Sequence, residues 1–548
     1  MSQHTFLQIA PTDNVLVALQ NLPQGAHIEF EGKTIQLQQN IDAKHKFAIH
    51  PLETGDPVFM YGVLVGKAVK PIAAGALIST DNLKHAAENF GARNQVYQWN
   101  APNIDKYKNR TFMGYHRPDG QVGVRNYWLV IPLVFCENRN ILVLKNAFLK
   151  ELGFAQPDVY RKYLHTLTEY FQEHGSTEGF SPEIHIPEIS KKRLFHNVDG
   201  IQFLTHESGC GETRDDSENL CALLAGYCVN PNVAGITVLS LGCQHAQIQL
   251  FKEKLAEKDP HFAKPILFFE RQKWQTEYAM LTEAIRQTFE GLVQINQLER
   301  QPAALSHLAI GVKCGGSDGF SGISANPAVG HAADLVAALG GKVLMAEYPE
   351  LCGVEQELIN RCVSDEVAND FIHLMREYAR RAEAIGAGFD MNPSPGNIRD
   401  GLITDAIKSA GAAKKGGTSP VAGAVGYGGY ARKPGLHLIC TPGNDVLSTT
   451  GMAGAGATIQ LFTTGLGTPT GNPISPMVKL ATNHDLAHRM PDIIDFDCGD
   501  IITGEKTVEQ TGEEILEYII GLASGKYDTK AMNLGQDDFM FWKRGVSL

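Results

Sequence analysis

In residues 307–330, HLAIGVKCGGSDGFSGISANPAVG, four side chains able to do chemistry, Lys313, Cys314, Ser317 and Asp318, are interleaved with glycines. They follow an apolar run at 308–312 and precede Asn326-Pro327, which reads as a helix start with proline in the first turn. A strand, a polar glycine loop and a helix, in that order, mark where open α/β sheets hold ligands, beyond the strand's carboxyl end. Glycine lets backbone N–H groups approach a ligand, and the polar side chains add charge, a thiol and oxygen donors. A tight turn satisfying its own backbone would use the same residue types. What favours chemistry is repetition. The design recurs in FLTHESGCGE with His206 and Cys210, and in VLMAEYPELCG with Glu347 and Glu350. It recurs again in KKGGTSP with Lys415 and Thr418, and in FTTGLGTPTGN with Thr464.

Each group has a chemistry to match. His206 is a candidate base or metal ligand, with Cys210 beside it. Glu347 and Glu350 as a pair suit a divalent cation or proton transfer, though acidic residues also open helices. Asp318 and Lys415 are further acid, base or ligand candidates. Arg117, Arg125 and Asn126 crowd the approach to a strand at 127–135, and arginine matches a planar carboxylate. An arginine bracing a turn through Asp119 would look the same. Ser317, Thr418 and Thr464 offer hydroxyls to a polar substrate.

The elements that must position these groups alternate. Apolar runs at 198–204, 235–241, 265–270, 308–312, 342–346, 436–440 and 458–464 read as strands. Helices are expected at 220–227, 247–258, 274–297, 328–339, 355–385 and 401–410. Alternation of this kind implies a parallel sheet. Residues 1–90 are different, with short apolar pieces between turn signals, and predict a small β-rich domain. A polar linker follows at 91–110, then a first α/β catalytic domain at 111–300 and a second at 301–548. Within the first, about 145–192 reads as a peripheral insertion.

Bulk properties exclude several classes. A chain of 548 residues with 43% hydrophobic and 20% charged residues should fold as more than one globular domain. The net charge of −12 and the lack of a basic run argue against nucleic acid as a partner. No apolar run approaches the ~20 residues of a membrane span, and no signal peptide is visible, so cytoplasm is the expected location. The 10 cysteines include no Cys-x-x-Cys pair, which removes the usual zinc-ribbon and thioredoxin-like spacings. Gly-x-Gly-x-x-Gly and the phosphate-binding P-loop are both missing from strand–helix contexts.

Several stretches together resemble the altronate and galactarate dehydratases: FMGYHRPDGQVGVRNY, THESGCG, LGCQHAQ, KCGGSDGFSGISANPAVG, NPSPGN, KKGGTSP, TPGNDVLSTTG and FTTGLGTPTGNP. HKFAI, GDPVFMYG and VGKAV resemble that family's N-terminal SAF domain, and the tail QDDFMFWKRGVSL resembles its altronate branch. The resemblance implies a hydro-lyase that takes water from a sugar acid, D-altronate giving 2-dehydro-3-deoxy-D-gluconate, in hexuronate catabolism. It implies Fe2+ or Mn2+ as cofactor; side-chain chemistry makes His206, Cys210, Glu347 and Glu350 the candidate ligands, and a homo-oligomer is expected. Galactarate or a sulfonated hydroxy acid is the alternative substrate, and an inactive sugar-acid-binding protein the alternative class. An iron–sulfur hydro-lyase, with Cys210, Cys243 and Cys314 as ligands, is a further option. Members often carry histidine three residues before the Asp13-Asn14-Val15 triplet. Here Ala10 stands there, so any ligand role is lost or falls to His45.

Overall fold

The turn-punctuated N-terminal sequence folds into short antiparallel strands between Phe6 and Lys84. Gly25, Gly55 and Gly75 make corresponding turns at φ of +80°, +96° and +74°, where a Cβ is disfavoured. The Asp13 carboxylate accepts N–H groups from Ala10, Tyr61 and Gly62, tying the two halves of this β unit together. The computed structural model describes residues 5–182 and 193–548, so the last part of the expected insertion lies outside the described residues.

From Thr111 the chain is mixed α/β. A four-stranded parallel sheet runs in the order Gly200–Phe203, Tyr127–Pro132, Val233–Ser240, Ile266–Glu270. Its helices include Asn138–Glu151, Arg214–Val229, Ile248–Lys258 and Glu277–Ile295. Because helices cover both faces, the strands are apolar throughout rather than alternating. Within the expected insertion, the helix Val159–His174 buries no residue, whereas Ile141, Leu144 and Phe148 of the helix before it join the core. Trp128 fills the middle of this layer. Its indole N–H donates to Thr237 Oγ1 at 3.0 Å, and its ring lies flat against Gly235 and Gly291.

The second sheet has seven parallel strands, ordered Val421–Val425, Gly435–Ile439, Lys342–Ala346, Ala309–Cys314, Ile459–Thr464, Met477–Ala481, Phe496–Asp497. The run that opened the sequence reading is the central strand, buried at every position. The chain builds outward from it first to one side and then to the other, so the crevice beside Cys314 and Thr463 is a topological switch point. Two sheets are thus welded into one body. The helices Arg214–Val229 and Asp445–Gly454 meet backbone to backbone, since a Cβ on Gly226 would lie 2.0 Å from the Gly454 carbonyl oxygen.

Two expectations need correction. The helix expected at 355–385 is two, Glu355–Arg361 and Asp365–Glu383, because Ser364 caps the second by accepting the Val367 N–H. The helix expected at 401–410 begins at Asp405, behind a Thr404 cap.

Gly291 gives a test of the packing. Alanine is the better helix former by roughly 1 kcal/mol, yet a Cβ there would sit 2.0 Å from the Trp128 ring. Gly291→Ala should therefore destabilise the protein, by about 1–3 kcal/mol, read as a lower midpoint in denaturant.

Candidate active site

At the carboxyl end of the central strand Lys313 and Cys314 enter a buried ionic cluster. The neighbouring strand Lys342–Ala346 delivers Glu347 in the left-handed region at φ +74°, held by its N–H donating to Thr441 Oγ1 at 2.9 Å. A short turn, Tyr348–Leu351, then places Glu350. Lys408 comes from the helix Asp405–Ala413, Lys415 from the turn after it, and Asp445 from the first turn of Asp445–Gly454.

Lys313 Nζ lies 2.5 Å from Glu347 Oε1 and 2.7 Å from Asp445 Oδ1, and it donates to the Cys314 carbonyl at 2.6 Å. Lys408 Nζ meets Glu350 Oε1 at 2.9 Å. Glu350 Oε2 accepts from the Cys314 thiol at 3.3 Å, and Lys415 Nζ is 3.3 Å from the same sulfur. Lys313, Lys408 and Lys415 thus face Glu347, Glu350 and Asp445, charge against charge.

Burial raises the proton affinity of Glu347, and repulsion from Glu350 adds to it, so its carboxyl stays above the usual range despite Lys313. Burial acts the same way on Glu350, but Lys408, Lys415 and Lys313 outweigh it and hold that carboxyl ionised. Two acids with opposite proton affinities in one site have the properties to serve as a proton carrier and a fixed charge. Asp445 is the accessible member, with a side chain 33% exposed. A cleft of about 690 Å³ shares the cluster's wall: Pro349 lines it, as does Asn392, which accepts from Lys408 Nζ at 2.8 Å.

The same strand end carries a second group. Asp318 is buried, accepting from Ser321, Thr482 and Asn483, and pairs at 3.0 Å with Lys44 of the N-terminal β unit. Lys44 also meets Asp400, at 3.2 Å. Ser317 is buried and its hydroxyl has no hydrogen-bond partner among the described residues. Thr464 accepts from Gly467 N–H on the adjoining loop.

Of the residues singled out in the sequence, the structure therefore brings Glu347, Glu350 and Lys415 into one cluster and Asp318, Ser317 and Thr464 onto the loops beside it. The others lie elsewhere. His206 is buried in the first sheet, with Nε2 2.9 Å from the Pro132 carbonyl oxygen and Nδ1 accepting from Ser208 N–H. Burial lowers its pKa to about 4. His206 and Cys210 thus share no ligand shell with Glu347 and Glu350, which belong to the other sheet. Arg117, Arg125 and Asn126 precede a strand and so sit at the amino end of the sheet. Arg117 donates to the Pro231 and Arg125 carbonyls, Arg125 to the Leu522 carbonyl, and Asn126 to the Asn197 and Ile295 carbonyls. Thr418 is exposed, bonded to Asp334 and to Trp99 of the linker. The reading of the sequence missed Lys44, Lys408 and Asp445 as site residues. Only Asp445, inside TPGND, carried a signal.

Among the described residues two groups of side chains have the spacing for a metal ion, each with donor atoms within 4.8 Å: Cys314, Glu347 and Glu350, and His85, Cys352 and Asp405. In the first, ammonium groups already occupy the carboxylates, and a cation would have to displace them. The second fits a divalent ion. Burial pushes the Asp405 carboxyl up to about 8, and its Oδ2 has no hydrogen-bond partner among the described residues.

Comparison with known proteins agrees along the chain. Residues 4–86 match the altronate/galactarate dehydratase SAF domain, and 114–296 the second domain of D-galactarate dehydratase/altronate hydrolase. Residues 305–547 match the C-terminal domain of D-galactarate/altronate dehydratase. The chain is 33% identical to the altronate dehydratase of Escherichia coli K12 over 99% of its own length and all of the relative's. For the altronate dehydratase of Bacillus subtilis 168 the figures are 32%, 99% and 100%. For the L-threo-forming galactarate dehydratase of E. coli K12 they are 28%, 96% and 94%. Among the described residues no helix is long and apolar enough to cross a membrane. With end-to-end similarity to two altronate dehydratases and a buried acid–base cluster at the switch point of its larger sheet, the chain belongs to the D-galactarate/altronate dehydratase family of hydro-lyases.

Proposed function

We propose that this protein dehydrates D-altronate to 2-dehydro-3-deoxy-D-gluconate, a step of hexuronate breakdown. The observation that carries this reading is the cluster of three lysines and three carboxylates around Cys314, in a chain similar throughout to two altronate dehydratases. The C2 proton of an aldonate is weakly acidic because the adjacent carboxylate is already negative. Its removal creates a second negative charge, and ammonium groups fixed in a water-poor site stabilise that charge as it forms. The substrate carboxylate, with the charge and shape of the Asp445 side chain, takes that side chain's place on Lys313.

Glu347 is the proton carrier. As carboxylate it takes the proton from C2 and passes it to the departing C3 hydroxyl. The C2–H and C3–O bonds break, a C2–C3 double bond forms, and water leaves; the enol then becomes the ketone. A raised proton affinity suits a group that must both take and give a proton near neutral pH. Asp318 with Lys44, and the hydroxyls of Ser317 and Thr464, face the remaining hydroxyls of the chain. Fe2+ or Mn2+ would be held by His85, Cys352 and Asp405, where it would supply Lewis acidity beside Glu350.

Incubation of the purified protein with D-altronate and Fe2+ or Mn2+ should release a 2-keto-3-deoxy acid, measured with a carbonyl reagent. Galactarate in parallel separates the two family substrates, and a binding protein without catalysis forms no keto acid from either. Glu347→Gln should lower turnover by at least ~10²; because it also takes a carboxylate from buried Lys313, circular dichroism of the variant separates lost chemistry from lost fold. In the wild type, turnover should fall as pH drops through the raised Glu347 pKa, because the carboxylate form is lost. The acid limb of the rate profile therefore lies well above the ~4.3 of a free glutamate and disappears in the variant.

A further inference from the structure

Three cysteines outside the cluster just described lie on adjacent loops at the carboxyl end of the four-stranded sheet. Cys136 follows the strand Tyr127–Pro132, Cys210 follows Gly200–Phe203 and Cys243 follows Val233–Ser240, three neighbours in one parallel sheet. Hydrogen bonds tie the loops together, from Phe135 N–H to the Ser208 carbonyl and from Ala246 N–H to the Gly209 carbonyl, both at 3.0 Å. Glycine makes that approach possible: Gly209 turns at φ +103°, and a Cβ on it would sit 2.2 Å from the Leu133 carbonyl oxygen. All three thiols are free. Cys136 and Cys243 are exposed and Cys210 is half-buried, whereas structural cysteines of this chain such as Cys221 and Cys228 are sealed in the core. The Cys136 thiol is pushed up by burial, then by Cys210, and by Glu137 and Cys243 after it, so Cys136 lies within reach of both other thiols.

The spacing discriminates among metals. Among the described residues the three sulfurs do not form a group with all donor atoms within 4.8 Å of one another, the closeness that a single ion with ~2.3 Å metal–sulfur bonds requires. In an iron–sulfur cluster each thiolate binds its own iron, and the sulfurs stand further apart. Iron binding releases the thiol protons, and nearby helix starts favour the thiolates that result. The helices Asn138–Glu151, Arg214–Val229 and Ile248–Lys258 begin within a few residues of the three cysteines and turn their positive ends toward that loop edge. Gln272 Nε2 donates to Cys243 Sγ at 3.2 Å, a hydrogen bond of the kind that tunes cluster sulfurs.

We infer that Cys136, Cys210 and Cys243 form a binding site for a four-iron, four-sulfide cluster, with three irons held by the protein and the fourth open to an oxygen ligand. Cys314, sequestered in the ionic cluster of the other sheet, is not part of it. The inference does not depend on which acid is dehydrated, and it differs in chemistry from the His85–Cys352–Asp405 site, which takes a lone ion without sulfide.

The test uses the full-length protein, purified without oxygen and incubated with ferrous iron and sulfide. The expected result is iron and acid-labile sulfide bound in equal amounts, with the broad visible absorption of sulfide-to-iron charge transfer. Cys136→Ser, Cys210→Ser and Cys243→Ser should each lose that absorption, and Cys314→Ser should keep it. Iron bound to the wild type without labile sulfide would overturn the inference whatever the variants do. So would a spectrum lost in Cys314→Ser and kept in Cys136→Ser. Circular dichroism of each variant separates loss of the site from loss of the fold.

Discussion

Lys313 is the interaction on which the rest depends. An ammonium with almost no exposure is tolerable only if carboxylates meet it closely, and Glu347 and Asp445 do so from two different elements. Removing either partner would leave charge stranded in a medium that cannot solvate it. That requirement fixes the register of Ala309–Cys314 against Lys342–Ala346 and the left-handed backbone at Glu347. It also fixes the start of the helix that carries Asp445. Backbone strain of this kind persists only where surrounding contacts over-determine it, and here the Thr441 hydroxyl supplies one of them.

The two sheets apply one architectural rule to different chemistry. Each presents polar and sulfur-bearing loops at the carboxyl ends of parallel strands, where helix starts and open backbone groups converge. On the larger sheet the loops carry lysines and carboxylates matched in charge. On the smaller they carry thiols among glycines, with His206 buried behind them as a neutral brace between Pro132 and Ser208. The N-terminal β unit joins the larger sheet through Lys44, which reaches Asp318 and Asp400, and through Lys46. The latter is fully buried against the Lys44 and Gly401 carbonyls, and burial lowers its pKa to about 7.

Most strands sealed on both faces were plain in the sequence, because an unbroken apolar run such as Leu308–Val312 has few other uses; Met477–Ala481, interrupted by Lys479, was not. Glu347, Glu350 and Lys415 were visible for the same reason, as polar residues where such runs or their helices end. Val421–Val425 was not, since VAGAV is too small and glycine-rich to announce a strand. Lys408 lies within a helix and Lys44 in a distant domain, so only tertiary structure could pair them with Glu350 and Asp318. A guanidinium bonded to carbonyls, as at Arg117, has the same local sequence as one waiting for a carboxylate. Only the position at the strand's amino end tells them apart. Cys136, without a neighbouring glycine, gave no hint that it stands beside Cys210 and Cys243.

The contact between Gly226 and Gly454 has a mechanical consequence. Two helices in main-chain contact cannot slide without a collision, so the paired sheets move as a single block. The N-terminal unit is packed on that block as closely, since a Cβ on Gly322 would lie 2.3 Å from the Tyr61 hydroxyl. That joint is anchored in part by the ion pairs of Lys44, and dissolved electrolyte weakens partly exposed pairs of this kind. Rising ionic strength would weaken that ionic part of the joint and leave the apolar core shared across it intact.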